Sequence, residues 1–401
     1  MSTNKNGCKQ KLNCIIANLK RHKKVLDNKS PAFTKVHFAN LDGLRFMCFF
    51  MVFMSHSFFS TDTTLLQSDF YKFMKLDVVR NGIMGVNFFF VLSGFLITFL
   101  LIREKQNYGK INIPHFWLRR VLRIWPLYFG CIIFGFIIFP YIKLKLGQTP
   151  NETASPLYYI SFLSNFDIIN KGLPDCSVLG ILWSVAIEEQ FYLTWPIILA
   201  IIPIKKYWIP FAFIIAGSLV FRFYNDNYDM HEYHTISCIS DMAVGGLAAW
   251  LTRFDAFLIK IKSISKPTLI VLYTTFIIAF FFRDEMQFNF FYGRLFERLF
   301  ISIIAALIIL EQCYCENSLF KFSQSKYLTR LGVISYGLYC LHFIGILIAI
   351  NIFKIIMPVQ NYLQVFVLVP LFSLALTICI AYLSYRFFES PFLKLKKRLE
   401  K

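Results

Sequence analysis

Long apolar runs alternate with short basic segments along almost the whole chain, and this alternation restricts the fold more than any motif does. The runs are about 17 to 26 residues each, the length an α-helix needs to cross a hydrocarbon core of about 30 Å. Inside a bilayer the backbone must satisfy its own hydrogen bonds, so such runs fold as helices. The expected fold class is all-α: a polytopic membrane protein with about ten transmembrane helices and both termini cytoplasmic. With 57% hydrophobic and 16% charged residues among 401, an ordinary soluble domain is excluded. The net charge of +19 does not point to nucleic acid, because Lys and Arg collect between the apolar runs, as they do in topology-setting cytoplasmic loops.

The expected spans lie at about 38–60, 83–103, 119–141, 181–203, 207–224, 235–252, 267–283, 295–313, 331–354 and 363–388. They divide the chain into a basic cytoplasmic tail at 1–37, a membrane domain at 38–390 and a basic cytoplasmic tail at 391–401. Basic loops at Lys205-Lys206, Arg253 to Lys266 and Lys321 to Arg330 all fall on the cytoplasmic side of a ten-crossing count. Lys143 to Gly180 is the longest external stretch and a natural meeting place for an extracytoplasmic partner. Cysteines such as Cys48, Cys131, Cys238 and Cys340 sit inside apolar runs as small hydrophobes. Cys313 and Cys315 lack further ligands at metal-binding spacing, so no metal site is expected. No cleavable signal peptide, internal repeat, Walker loop or dinucleotide fingerprint is visible.

Chemistry-bearing residues concentrate in four places. The first span carries Asp42, Arg45 and His56 among phenylalanines and methionines. Arg45 and His56 are eleven residues apart, so at about 100° and 1.5 Å per residue they share a face and lie about 16 Å apart along it. Groups this costly to bury mark a polar cavity; interhelical hydrogen bonding is the plainer alternative. Arg119, Arg120 and Arg123 open the third span, with Arg120 and Arg123 one turn apart. Guanidinium groups at a membrane-embedded entrance suit phosphate or pyrophosphate, and membrane anchoring is their other role. In the fourth span Glu188 and Glu189 point about 100° apart, so one of them is expected to face a shared cavity. Glu188 is the choice, to orient an imidazole or pair with an arginine, against a buried ion pair with Arg45 or Arg222. Ser335, Tyr339 and His342 share a face of the ninth span, where His342 could reach the cavity of His56, although a structural histidine is the preferred role.

These stretches together resemble the acyltransferase-3 family of integral membrane acyltransferases. The resemblance rests on the Arg45–His56 spacing, Phe88-Phe-Phe-Val-Leu-Ser-Gly-Phe95, Arg119 to Tyr128, Trp183 to Pro196, Ser335 to His342 and Glu389-Ser-Pro391, in that order. It covers residues 40–392. It implies a membrane enzyme of the bacterial inner or cytoplasmic membrane. Such an enzyme moves an acyl group, acetyl by preference, from cytoplasmic acyl-coenzyme A to a hydroxyl of a cell-surface or lipid-linked glycan. Arg45, His56, Arg120, Arg123 and Glu389 fall on motif positions, while Asn87 and Cys238-Ile-Ser240 depart from the residues common there. On that reading His56 is the general base. Arg45, Arg119, Arg120 and Arg123 bind coenzyme A, and Asp42, Glu189, Tyr339 and His342 support the site. No resident cofactor is implied. The partners are membrane lipid, acyl-coenzyme A, the glycan acceptor and an extracytoplasmic protein if an acyl-enzyme hands its group on. No hydrolase-like extracytoplasmic domain is expected within this sequence, which favours direct transfer. A transporter or flippase of a polar lipid or glycan is the alternative of a different class.

Overall fold

The computed structural model describes residues 38–289 and 291–399; the expected tail at 1–37 lies outside them. Every regular element among the described residues is helical. The long ones are α1 (Ala39–Ser57), α2 (Ile83–Tyr108), α3 (Ile113–Ile133), α4 (Leu182–Ile201), α5 (Trp208–Tyr224), α6 (Thr235–Leu251), α7 (Lys266–Phe281), α8 (Phe291–Tyr314), α9 (Ser335–Ile356) and α10 (Val369–Leu383). Each overlaps one of the expected apolar stretches.

Among the described residues, five helical segments are long and apolar enough to cross a membrane, or six if the helix bent by 102° after Leu251 is one span. The protein is thus a multi-pass membrane protein by composition. α7 is apolar but short, at 16 residues, whereas α1, α4 and α8 fall short for a different physical reason. They carry Asp42 and Arg45, Glu188 and Glu189, and Arg294, Glu297, Arg298 and Glu311, which depress their apolar character.

Two boundaries differ from expectation. Residues 103–123 are largely helical: α2 runs past its expected end at 103 to Tyr108 and α3 starts before 119, at Ile113. Gly109 adopts a left-handed φ of 73° and its N–H donates to Lys105 O at 2.9 Å, which closes α2. Asn112 then caps α3 by accepting from the His115 N–H, with Pro114 in the first turn. The segment after α1 is a chain of short helical turns from Thr63 to Gly82.

Side-chain ties gather alternate helix ends. Asn40 donates to Gln312 O at 2.7 Å and accepts from the Ser323 N–H, joining the start of α1 to the end of α8. Lys105 donates to three carbonyls that close α4, those of Leu199, Ala200 and Ile202, each at 2.8 Å. Trp250 and Arg253 both donate to Ile204 O, beside Lys205-Lys206. The basic loops therefore collect at one end of the bundle. At the other end, Ser60, Thr61 and Asp62 all donate to Gln360 Oε1 at 2.6 to 3.1 Å, strapping the exit of α1 to the α9–α10 connection.

α2 is the central helix, with 72% of its most apolar stretch buried. It meets α6 at van der Waals contact because both supply glycines: a Cβ on Gly94 would lie 2.0 Å from Met242 O, and one on Gly245 2.0 Å from Val91 O.

Candidate active site

α1 enters the bundle in a slot made by small residues. A Cβ on Gly332 would meet Asp42 O at 1.8 Å, and one on Gly43 would meet Phe322 Cβ at 2.7 Å, so the 320s segment is moulded to the first turn of α1. Asp42, thus placed, accepts from Arg45 Nη1 at 2.6 Å across one helical turn. Arg45 keeps 21% of its side chain accessible and has Arg123 and Tyr192 within electrostatic reach.

From α3, Arg123 acts electrostatically on both Arg45 and Arg120. Arg119 donates to His115 Nδ1 at 2.9 Å and to Glu104 Oε2 at 3.4 Å and also acts electrostatically on Arg120. Arg120 lies over the rings of Phe116 and Tyr192, at 5.4 and 5.6 Å, and its buried Nε has no hydrogen-bond partner among the described residues. No carboxylate of the described residues stands within ion-pair distance of Arg120 or Arg123. Guanidinium groups left in this state suit an anionic ligand.

α4 supplies both carboxylates. Glu188 accepts from Ser93 Oγ at 2.6 Å and from Tyr192 Oη at 3.0 Å; Glu189 accepts from Trp125 Nε1 at 2.9 Å. Both lie within electrostatic reach of Arg120. Neither pairs with Arg45 or Arg222: Arg222 meets Glu297 at 3.6 Å. At the end of α10 the helix widens to a π turn over Ser384–Glu389, which aims Glu389 inward; its Oε1 accepts from Ser384 Oγ at 3.1 Å. The absence of a side chain on Gly337 leaves room for that oxygen, and Arg123 is its nearest cation of influence.

His56, at the last turn of α1, stands 3.0 Å by Nδ1 from His342 Nε2, and His342 Nδ1 lies 2.6 Å from Tyr339 O. Tyr339 Oη is 2.8 Å from Ser184 Oγ, which ties α9 to α4. Phe343 covers both imidazoles, with centroids at 4.7 and 4.6 Å. Lys75 Nζ donates to Ser55 O and Phe58 O, capping α1 next to His56.

A second polar cluster was not read from the sequence. Arg298 donates to Asp241 Oδ2 at 2.8 Å and Arg283 to Glu232 and Glu297 at 2.6 and 2.5 Å, all of them buried. Asn87 Nδ2 donates to Asp241 Oδ2 at 3.1 Å, and Cys238 Sγ donates to Glu232 O at 3.1 Å. The two departures from the family pattern therefore converge on one network, where Arg298 from α8 supplies the cation. Arginines at the fringes of apolar runs, Arg283 and Arg298, were the available signal.

Comparison with known proteins places residues 38–386 on the family model described as an acyltransferase domain. A protein of Staphylococcus aureus (strain COL), provisionally named an O-acetyltransferase, is 29% identical over 399 residues, covering 92% of this chain and 60% of its own. O-acetyltransferase OatA of Staphylococcus aureus (strain NCTC 8325 / PS 47) is 30% identical over 342 residues, covering 79% of this chain and 53% of its own. The chain thus spans little more than half the length of the curated relatives it matches. No solved structure matches.

Proposed function

The chain belongs to the acyltransferase-3 family, and from that premise we propose that it is a membrane O-acyltransferase. It moves an acyl group, acetyl by preference, from cytoplasmic acyl-coenzyme A to a hydroxyl of a cell-surface or lipid-linked glycan, in a bacterial cytoplasmic membrane with ten crossings. The observation that carries the reading is the polarity of α1. One half holds Arg45 beside Arg123, which in turn acts on Arg120, and the other end holds His56, about 16 Å away by helical rise. That distance suits an extended pantetheine arm with its phosphates on the arginines and its thioester near the imidazole.

In this scheme His56 takes the proton from the acceptor hydroxyl as the oxygen bonds to the acyl carbon. The tetrahedral intermediate then collapses, the carbon–sulfur bond breaks, and His56 returns the proton to the coenzyme A sulfur. Arg45, Arg120 and Arg123 hold the donor, Glu188 and Glu189 act electrostatically on Arg120, and Glu389 on Arg123. Transfer is direct. Purified protein in nanodiscs, supplied with acetyl-coenzyme A and a glycan acceptor, should release coenzyme A only with acceptor present. His56→Ala should lower turnover by about 10²- to 10⁴-fold. Wild-type turnover in folded His56→Ala removes the base assignment, and acceptor transport without coenzyme A release favours a transporter.

A further inference from the structure

Three candidates stand out beyond the donor cluster: the buried arginine–carboxylate network around Asp241, the aromatic seat of Phe162 in the external stretch, and the second histidine beside His56. The network balances its charges and packs α6 against α8, and Phe162, with a φ of 57°, fills a space between Trp125 and Tyr128 without facing a polar cavity. The second histidine carries further.

We infer that His342 is a positioning residue that fixes the tautomer of His56, leaving the His56 Nε2 lone pair as the only basic nitrogen offered to the acceptor hydroxyl. The inference rests on the reading of His56 as base. It follows from hydrogen-bond direction. A backbone carbonyl can only accept, so His342 Nδ1, 2.6 Å from Tyr339 O, must carry a hydrogen. A neutral imidazole has one N–H, so His342 Nε2 is an acceptor. His56 Nδ1, 3.0 Å from it, must then be the donor, and the lone pair of His56 is left on Nε2.

The ring geometry agrees with a hydrogen bond rather than a stack. The planes are 15° apart and the centroids 5.2 Å apart, far longer than the 3.0 Å between nitrogens, so the rings meet edge to edge. His342 is fully buried and His56 is partly exposed, so the outer ring of the pair is the one a substrate reaches. The groups around the pair are few: Lys75 from the segment after α1, Tyr339 on α9, and the rings of Phe49 and Phe343. No carboxylate of the described residues hydrogen-bonds either imidazole, so a neutral imidazole fills the orienting place. When His56 Nε2 takes the hydroxyl proton, the His56 Nδ1–H goes on donating to His342 Nε2, and the proton taken up leaves Nε2 for the coenzyme A sulfur. Nothing else is consumed.

The test compares His342→Leu, His342→Gln and His56→Ala in the reconstituted acetyl-coenzyme A assay. Glutamine can place an amide oxygen where His342 Nε2 accepts; leucine cannot. His342→Leu should lower kcat about 10- to 100-fold, as loss of an orienting partner does, with KM for acetyl-coenzyme A within about twofold. His342→Gln should recover most of that loss. Equal kcat in the leucine and glutamine variants, whether both wild-type or both depressed, overturns the positioning role while an inactive His56→Ala still upholds the base. A fully active His56→Ala overturns both. Retained KM in His342→Leu also reports that the donor site is folded.

Discussion

Three arginines within five positions of α3 have different fates, and those fates separate binding from stability. Arg120, stacked on Phe116 and Tyr192 with an unpartnered Nε, is poised for an anion, whereas Arg119 is spent on Glu104 and His115. Lysine at 120 keeps the charge but loses the planar stack and the fork. Arg120→Lys is expected to raise KM for acetyl-coenzyme A about tenfold with a smaller change in kcat. Arg119→Gln should leave KM within about twofold and lower thermal stability slightly, as an exposed or half-buried ion pair does. Steady-state kinetics and a detergent melt distinguish the two. The arginine triplet was legible in the sequence, since charge and helical spacing mark it; the division of labour was not, because Glu104 is fifteen residues from Arg119 and its direction is set by the turn at Gly109. The same holds for His342, whose partner His56 is 286 residues away.

Among the elements, α1 depends most on what presses against it. Gly332 and Gly43 let the 320s segment close on its first turn, which fixes Asp42 and through it Arg45. A methyl at 332 collides with backbone rather than with a movable side chain, so α1 must shift outward. Gly332→Ala should cost about 1 to 3 kcal/mol of stability and weaken acetyl-coenzyme A binding, whereas alanine at Gly147, where a Cβ meets nothing, should leave donor binding unchanged despite its positive φ. Thermal shift with and without acetyl-coenzyme A measures both effects. Element types were readable from apolar length alone. Boundaries suffered where two signals competed: Gly109 and the Asn112-Ile-Pro114 start were present in the sequence, but the surrounding lysines and arginines drew the reading toward an open cytoplasmic segment. π turns such as that at Ser384–Glu389 leave no comparable trace in composition.

For the whole molecule, the apolar pattern predicted helices correctly and made no allowance for those that carry a polar interior. α1, α4 and α8 hold charge that other helices shelter, so composition alone recognises five or six crossings. The ten crossings proposed above put Lys205, Lys262 and Lys321 on one side of the membrane and Asn151 and Gln360, which lie beyond helix ends, on the other. Single cysteines introduced at Asn151 and Gln360 in a cysteine-depleted background should react with an impermeant maleimide from outside intact cells. Cysteines at Lys205, Lys262 and Lys321 should react only after permeabilisation. Labelling of Lys262→Cys in intact cells would break the ten-crossing count.

Lys75 and Gln360 close the outer end of α1 from two directions, the one through Ser55 O and Phe58 O, the other through Ser60, Thr61 and Asp62. The turn that holds His56 is therefore clasped by chain beyond the helix ends, which the proposed ten-crossing orientation puts within reach of the medium. A protease recognition sequence placed between Leu66 and Asp69 would let an added protease cut the clasp on living cells. Under the proposed function, surface acylation would then stop at a chosen moment without anything entering the cytoplasm.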